Sequence, residues 1–278
     1  MGVPADAVAG APRWSRRRTA ELPRARNCDG ARPPFGTKLN QTVLVPFPVE
    51  SCLSGLENAS LPGTPPTYQR MVYRTLIHGA AVLDEAAALR NGEDDSVAES
   101  GEVILHFGAV DWQADVYVNG LWVGSHEGGY DSFSFPIADA LRSNTAGSGT
   151  GSSGHATLDE ILVVVHDPSN YGSQPFGKQR TSAMWKPAGD TYSPNSGIWQ
   201  SVWLESVPTS RIKALKIAPN STHLRLNVQT TIPPTASAVT IVVTKHGQTV
   251  VRATGEPNVP FAVEIPHPEL WSPETPSL

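Results

Sequence analysis

The alternation of apolar and polar residues along this chain predicts a succession of short strands. Val103, Leu105 and Phe107 alternate with Glu102, Ile104 and His106, and Ala114, Val116 and Val118 alternate with Gln113, Asp115 and Tyr117. A period of two with one apolar face predicts half-buried strands, because successive side chains of an extended backbone point to opposite sides. Asn119 and Gly120 come next, and Leu121 and Val123 then alternate with Trp122 and Gly124. Asn-Gly between two such runs predicts a tight hairpin, since both residues tolerate the positive φ of a type I′ turn. MVYRTLI (71–77), SFSFPI (132–137) and IWQSVWLESV (198–207) extend the series. ILVVVH (161–166) does not alternate, which predicts a central strand covered on both faces.

A second series starts after Pro208 with IKALKI (212–217), HLRLNV (223–228), VTIVVT (239–244) and VPFAVEI (259–265). In the last of these Val259, Phe261, Val263 and Ile265 share a face. The fresh meander predicts a domain boundary near 208–210. Two segments interrupt the strands. DEAAALRNGEDDSVAES (84–100) is acidic and polar, which predicts a surface insertion with a helical turn, and SNTAGSGTGSSGHA (143–156) is a solvated low-complexity loop. The GTGSSG inside it matches a dinucleotide fingerprint but neither ends a strand nor opens a helix, so it offers no helix N-terminus to a pyrophosphate.

Composition agrees with an all-β chain. Gly (24) and Pro (25) are frequent, as turns between many strands require. With 17% charged residues and a formal net charge of −5 there is no basic surface to recommend nucleic acid or an anionic membrane. No apolar run approaches the ~20 residues of a membrane span. Cys28 and Cys52 lie in no CxxC or Cys/His cluster, so neither a metal site nor a disulfide framework is expected. Asn40, Asn58 and Asn220 begin Asn-x-Ser/Thr sequons. The start is rich in arginine (Arg13, Arg16, Arg17, Arg18, Arg24, Arg26) and has no apolar core segment, which argues against a secretory signal.

Candidate chemistry is sparse. SHEGGYD (125–131) has Tyr130 where HExxH needs its second histidine, and His106 and His166 fall on strands. Asp111 and Asp115 on one extended strand would stand about 13 Å apart, beyond the ~5–9.5 Å of a glycosidase pair. Trp112, Trp122, Tyr130, Trp185, Tyr192, Trp199 and Trp203 are the more suggestive set, because flat aromatic faces with polar neighbours suit the C–H faces of sugars. Trp199 and Trp203, four residues apart on one predicted strand, would share a face with Ser201 and Glu205 and are expected to pack rather than bind.

Five stretches carry a resemblance: LNQTVLVPFPVESCLSG (39–55), YR (73–74), HFGAVDWQADVYVNGLWVGSHEGGYDSFSFPI (106–137), GKQ (177–179) and YSPNSGIWQSVWLE (192–205). In this order they resemble the amino-terminal sugar-binding domain of glycoside hydrolase family 2, which includes β-galactosidases, β-glucuronidases and β-mannosidases. LWSPETPSL (270–278) resembles a segment of the immunoglobulin-like domain that follows it. The resemblance implies a jelly-roll, galactose-binding-like β-sandwich followed by an immunoglobulin-like β-sandwich, with a TIM barrel holding two catalytic glutamates beyond. It assigns residues 1–38 to a poorly structured N-terminal segment, 39–208 to the jelly roll and 211–278 to the second sandwich. That last stretch is shorter than the roughly 100 residues such a sandwich takes, so it is expected to be incomplete.

No Asn in the chain is followed by Glu, the dipeptide that marks the family's acid/base, so no catalytic residue is assigned and this chain alone is expected to be inactive. The family's usual first strand also has only RWSRRRTAEL as its counterpart here. In several members an acidic residue five positions before the Ser of Ser-Gly-Ile reaches the sugar; that position is Thr191, with Asp190 one residue upstream, and Asp190 is the residue carried over. At family level the function is hydrolysis of O-glycosyl bonds in carbohydrate metabolism; no metal and no cofactor is expected for this chain. The expected partners are carbohydrate and a catalytic barrel. The competing readings are a stand-alone carbohydrate-binding module using Trp112, Tyr130 or Trp185 as its platform, and a structural β-sandwich that binds a protein partner.

Overall fold

In the computed structural model the described residues are 13–18 (backbone only), 33–39, 41–56, 70–89, 101–141, 158–184, 186, 189–208, 210–231 and 238–277. They are all-β apart from one helix and a few short 3₁₀ turns, and they divide into two compact units, the second spanning Val207–Leu278.

The first unit is a sandwich. One layer is an antiparallel six-stranded sheet in the order β2-β1-β3-β9-β6-β7, from β1 (Arg13–Arg18), β2 (Gln41–Leu44), β3 (Arg70–Ile77), β6 (Gln113–Val118), β7 (Leu121–Glu127) and β9 (Asp159–His166). The other layer is split. β11 (Val202–Val207), β4 (Glu102–Phe107) and β8 (Phe133–Pro136) form three strands in that order, and β5 (Val110–Asp111) pairs with β10 (Gly197–Ile198). Val103, Leu105 and Phe107 of β4 turn inward and are fully buried, as their alternation predicts. They meet Ala114, Val116, Val118, Ile161, Val163 and Val165 from the larger sheet in one core.

β9 is covered on both faces. Ile161, Val163 and Val165 lie in the sandwich core, while Leu162 and Val164 pack beneath the segment carrying Phe35 and Leu39. Phe35 meets Tyr117 edge to face at 5.5 Å, and Gly36 N donates to Glu160 Oε1 at 2.9 Å. Glu160 in turn pairs with Arg74. The hairpin at Asn119-Gly120 has φ of 50° and 82°, the positive pair that its turn type demands.

Three sequence expectations are revised. Arg13–Arg18, in the segment expected to be poorly structured, forms a strand between β2 and β3. Its arginines give no apolar period, so nothing in the hydropathy pattern identifies it. IWQSVWLESV is two strands, because residues 199–201 leave the extended pairing between β10 and β11. The polar insertion after Ile77 begins with a ten-residue helix, α1 (Gly79–Ala88), rather than one turn. α1 runs close to the sandwich wall; an added Cβ on Gly79 would stand 2.2 Å from Asp159 Oδ2, so only glycine fits there. The GTGSSG stretch, Cys28, Asn40, Asn58 and Trp185 fall outside the described residues.

The second unit has a three-stranded sheet, β12 (Ile212–Pro219), β13 (His223–Thr230) and β16 (Phe261–Glu264), and a hairpin of β14 (Val239–Lys245) and β15 (Gln248–Gly255). Leu226, Val228, Val239 and Val263 are buried. Leu215 and Ile217 stand opposite Val228 and Leu226 in register, yet remain 50% and 55% exposed. Among the described residues, the apolar face of this sheet therefore extends past what covers it.

Candidate functional site

The strand register gathers loops at one end of the six-stranded sheet. Gln113 pairs with both His166 and Glu127, so the start of β6 and the ends of β7 and β9 lie side by side. The loops leaving them, EGGYD (127–131) and the long segment 167–196, meet there.

Beneath these loops lies a group of buried carboxyls. Gln179 Nε2 donates to Asp111 Oδ2 at 3.1 Å, and Gln179 Oε1 accepts from Asn195 N at 2.7 Å. One amide thus ties β5 to the loop before β10. Ser196 N donates to Glu50 Oε2 at 2.9 Å, and the Ser196 side chain also interacts with Glu50 and Asp167. Asp167 Oδ1 accepts from Ser169 N at 2.6 Å. Glu50 keeps some exposure as a residue, but its carboxylate is turned inward.

Burial pushes the Glu50 carboxyl up to about 7, with the hydrogen bonds from Ser196 opposing the rise. Burial, then the neighbouring Asp167, pushes Asp111 up to about 7, against the hydrogen bond from Gln179. Asp167 is likewise raised by burial. Charged groups taken from water without a counter-ion favour their neutral form, and that is the direction in each case. Raised carboxyl pKa values mark catalytic sites and structural networks alike. Here the carboxyls face loop backbone and fixed amides, the arrangement of a scaffold that holds the loops.

Glycine permits the close approach. A Cβ on Gly129 would stand 2.7 Å from Asp111 Oδ1. Gly197 has φ +87°, and a Cβ there would stand 2.0 Å from the Tyr73 hydroxyl. The Ser-Gly-Ile turn is thus built of residues with no substitute, Ser196 bonding the acids and Gly197 passing over Tyr73.

The aromatic candidates separate. Tyr130 is 56% exposed and meets Trp199 edge to face at 6.3 Å. Trp199 is half-buried and donates its indole N–H to Gly129 O at 2.8 Å, so it clamps the EGGYD loop. Trp203 is on β11, stacked on His106, and does not share a site with Trp199. Trp112 is half-buried, and its indole N–H has no hydrogen-bond acceptor among the described residues; its carbonyl accepts from Gly128 N. Asp190 is exposed in the turn that precedes Tyr192, while Thr191 is half-buried. Tyr192 is exposed, and its backbone is tied to Lys178 and Arg180. Tyr130, Tyr192 and Asp190 therefore belong to loops meeting at the same end. Asp111 and Asp115 do not form a pair: β5 ends at Asp111 in one sheet, and Asp115, on β6 in the other, lies beside Tyr117, whose pKa burial and then that carboxylate raise.

Sequence reasoning missed Glu50, Asp167, Gln179 and Ser196 as a group. They come from four separate stretches and follow no period. The available signal was that Glu50, Gln179 and Ser196 each sit inside a stretch that carries the family resemblance.

No family model matches the sequence. Among curated proteins the chain is similar to a β-galactosidase of Thermoanaerobacter pseudethanolicus, 25% identical over 191 residues, covering 64% of this chain and 23% of that protein. It is also similar to a putative β-glucuronidase of Formosa agariphila, 26% identical over 113 residues, covering 41% of this chain and 11% of that one. A β-glucuronidase of Streptococcus agalactiae is 38% identical over 52 residues, 19% of this chain and 9% of that one. Among solved structures, the Ruminococcus gnavus β-glucuronidase in complex with uronic deoxynojirimycin shares the fold with a TM-score of 0.59 at 15% identity, over 96% of this chain and 40% of that one. The same enzyme in complex with D-glucuronic acid gives a TM-score of 0.57. The chain spans under half the length of these relatives and structures. Fold and similarities together define an all-β protein related to the glycosidases, consistent with a protein of the glycoside hydrolase family 2 type.

Proposed function

We propose that these residues form the non-catalytic amino-terminal portion of a family 2 glycoside hydrolase, with residues 39–208 as its jelly-roll sugar-binding domain and 211–278 as part of an immunoglobulin-like sandwich. In this reading the loop end bearing Tyr130, Asp190 and Tyr192 is the carbohydrate-facing surface, and hydrolysis is the work of a catalytic barrel outside these residues. The observation that carries the reading is the convergence, at one end of the sheet, of the EGGYD, GKQ and NSGIW stretches on the buried carboxyls. Matches to curated glycosidases over 64% and 41% of the chain support it. Glu50 and Asp111 have raised pKa values, but both are bound from within by loop donors, Ser196 N and Gln179 Nε2, which supports a structural rather than a catalytic role for them.

The test is incubation of the purified chain with aryl β-galactoside, β-glucuronide and β-mannoside. No release of the aryl group is expected from any of the three. Turnover that disappears with Asp111→Asn or Glu50→Gln would overturn the assignment of a non-catalytic role.

A further inference from the structure

Asp167 is the centre of the buried carboxyls. It lies just past the end of β9, is 2% exposed, and is the charge that acts on both Glu50 and Asp111. Ser169 N donates to its Oδ1, while its Oδ2 is buried without a hydrogen-bond partner among the described residues. The other titratable groups of the surrounding elements are placed differently. His166 alternates to the outer face of the six-stranded sheet with Leu162 and Val164, and Arg180 lies over the Phe176 ring. Glu127, Asp131, Lys178 and Asp190 are exposed, and the charges acting on His126 are Asp131 and Glu127.

The acids are mounted firmly and the loops lightly. Asp111 ends β5, where the buried Val110 pairs with the buried Ile198, and Asp167 continues the central strand β9. Residues 178–180 and Tyr192 are joined by an isolated bridge, and Gln179 and Ser196 tie that segment to the acids. The EGGYD loop is held by the bonds from Trp199 to Gly129 O and from Gly128 N to Trp112 O. We propose that protons held among Asp111, Asp167 and Glu50 latch the loop end shut, and that their loss as the solution turns alkaline releases these loops from the sheet. Ionised carboxyls crowded out of water repel one another, and they regain water most cheaply by displacing the lightly held loops rather than the core strands. Burial holds Glu50 and Asp111 near 7, and opening returns them to water and to ordinary carboxylate values. Between about pH 4 and about pH 7 the closed state therefore keeps protons that the open state has lost. Closure is fully favoured below that window and weakens as pH rises through it. What the opening would admit rests on the reading of this surface as carbohydrate-facing; the latch itself does not.

The experiment is hydrogen–deuterium exchange of the full chain from about pH 5 to about pH 8, corrected for the intrinsic pH dependence of amide exchange. Protection of peptides covering 127–131 and 191–199 is expected to fall at least about tenfold more than that of 161–166, since each pH unit inside the window changes opening by up to about tenfold per titrating group. Asp167→Asn removes the charge acting on both neighbours and is expected to cut that fall at least about threefold. Asp111→Asn is the second variant, used where the first does not fold, with the same direction expected. Loop protection that stays flat or rises with pH overturns the proposal. So does an equal fall in 161–166, which means unfolding of the whole sandwich, or a fall in the variants as large as in the parent. Carbohydrate plays no part in this readout, so aryl-glycoside turnover would remove the non-catalytic reading without changing the result here.

Discussion

Asp111 shows how one residue can couple the site to pH. Its carboxyl is 4% exposed, lies against the backbone of Gly129, and accepts a hydrogen bond from Gln179. An Asp in an unfolded chain titrates near 3.8, and burial raises this one to about 7. Between those values the folded state holds a proton that the unfolded state has lost. The contribution to stability is therefore fully present below about pH 4 and is lost as pH rises to about 7. Asp111→Asn keeps an acceptor for Gln179 and removes the titration. The stability of Asp111→Asn minus that of the parent is expected to rise from near zero at pH 4 to a plateau above pH 7. The plateau is worth a few kcal/mol, since each tenfold difference in proton affinity between the folded and unfolded chain is about 1.4 kcal/mol. Urea denaturation of both proteins across that range measures it; a flat difference would mean that the folded carboxyl titrates normally. Glu50 and Asp167 respond in the same direction, so the variant keeps part of the parent's slope.

Among elements, those with a strong period were legible and those defined by long-range partners were not. β4 and β6 follow from alternation, the Asn119-Gly120 hairpin from turn chemistry, and the doubly covered β9 from its unbroken apolar run. β1 was invisible because arginines carry no hydrophobic signal and its pairing depends on β2 and β3. The split between β10 and β11 was hidden because IWQSVW reads as one strand until Trp199 is seen to bond Gly129, seventy residues away. For the site, the sequence pointed to Tyr130 and Asp190 but not to the acids that anchor their loops. The β12–β13 pair shows how burial rather than residue type sets a side chain's contribution. Leu226→Ala is expected to cost about 2–5 kcal/mol. Leu215→Thr and Ile217→Thr, which keep strand propensity on the same face, are expected to stay within about 0.5 kcal/mol. Equilibrium unfolding at low micromolar concentration separates the two classes, and equal costs would mean that Leu215 and Ile217 are covered in solution.

For the whole molecule, the exposed end of that face bears on association. Leu215 and Ile217 lie on an edge strand, where unpaired backbone groups also invite strand pairing. Lys216, opposite Asn227 and on the other face, places a charge along the same edge, a common defence against edge-to-edge growth. Face-to-face contact through the leucine and isoleucine is left undefended. A formal net charge of −5 is a weak deterrent, since at physiological salt repulsion is screened beyond about 8 Å. The chain is therefore expected to self-associate as its concentration rises through roughly the micromolar-to-millimolar range in which exposed apolar surface drives association. The association should be stronger in higher salt. Sedimentation velocity across that range is the measurement. The double substitution Leu215→Lys with Ile217→Lys is expected to keep the chain monomeric throughout, whereas Lys216→Ala alone should add edge-driven aggregation. A parent chain that sediments as a monomer at every concentration and salt would show that this face does not drive contact between copies.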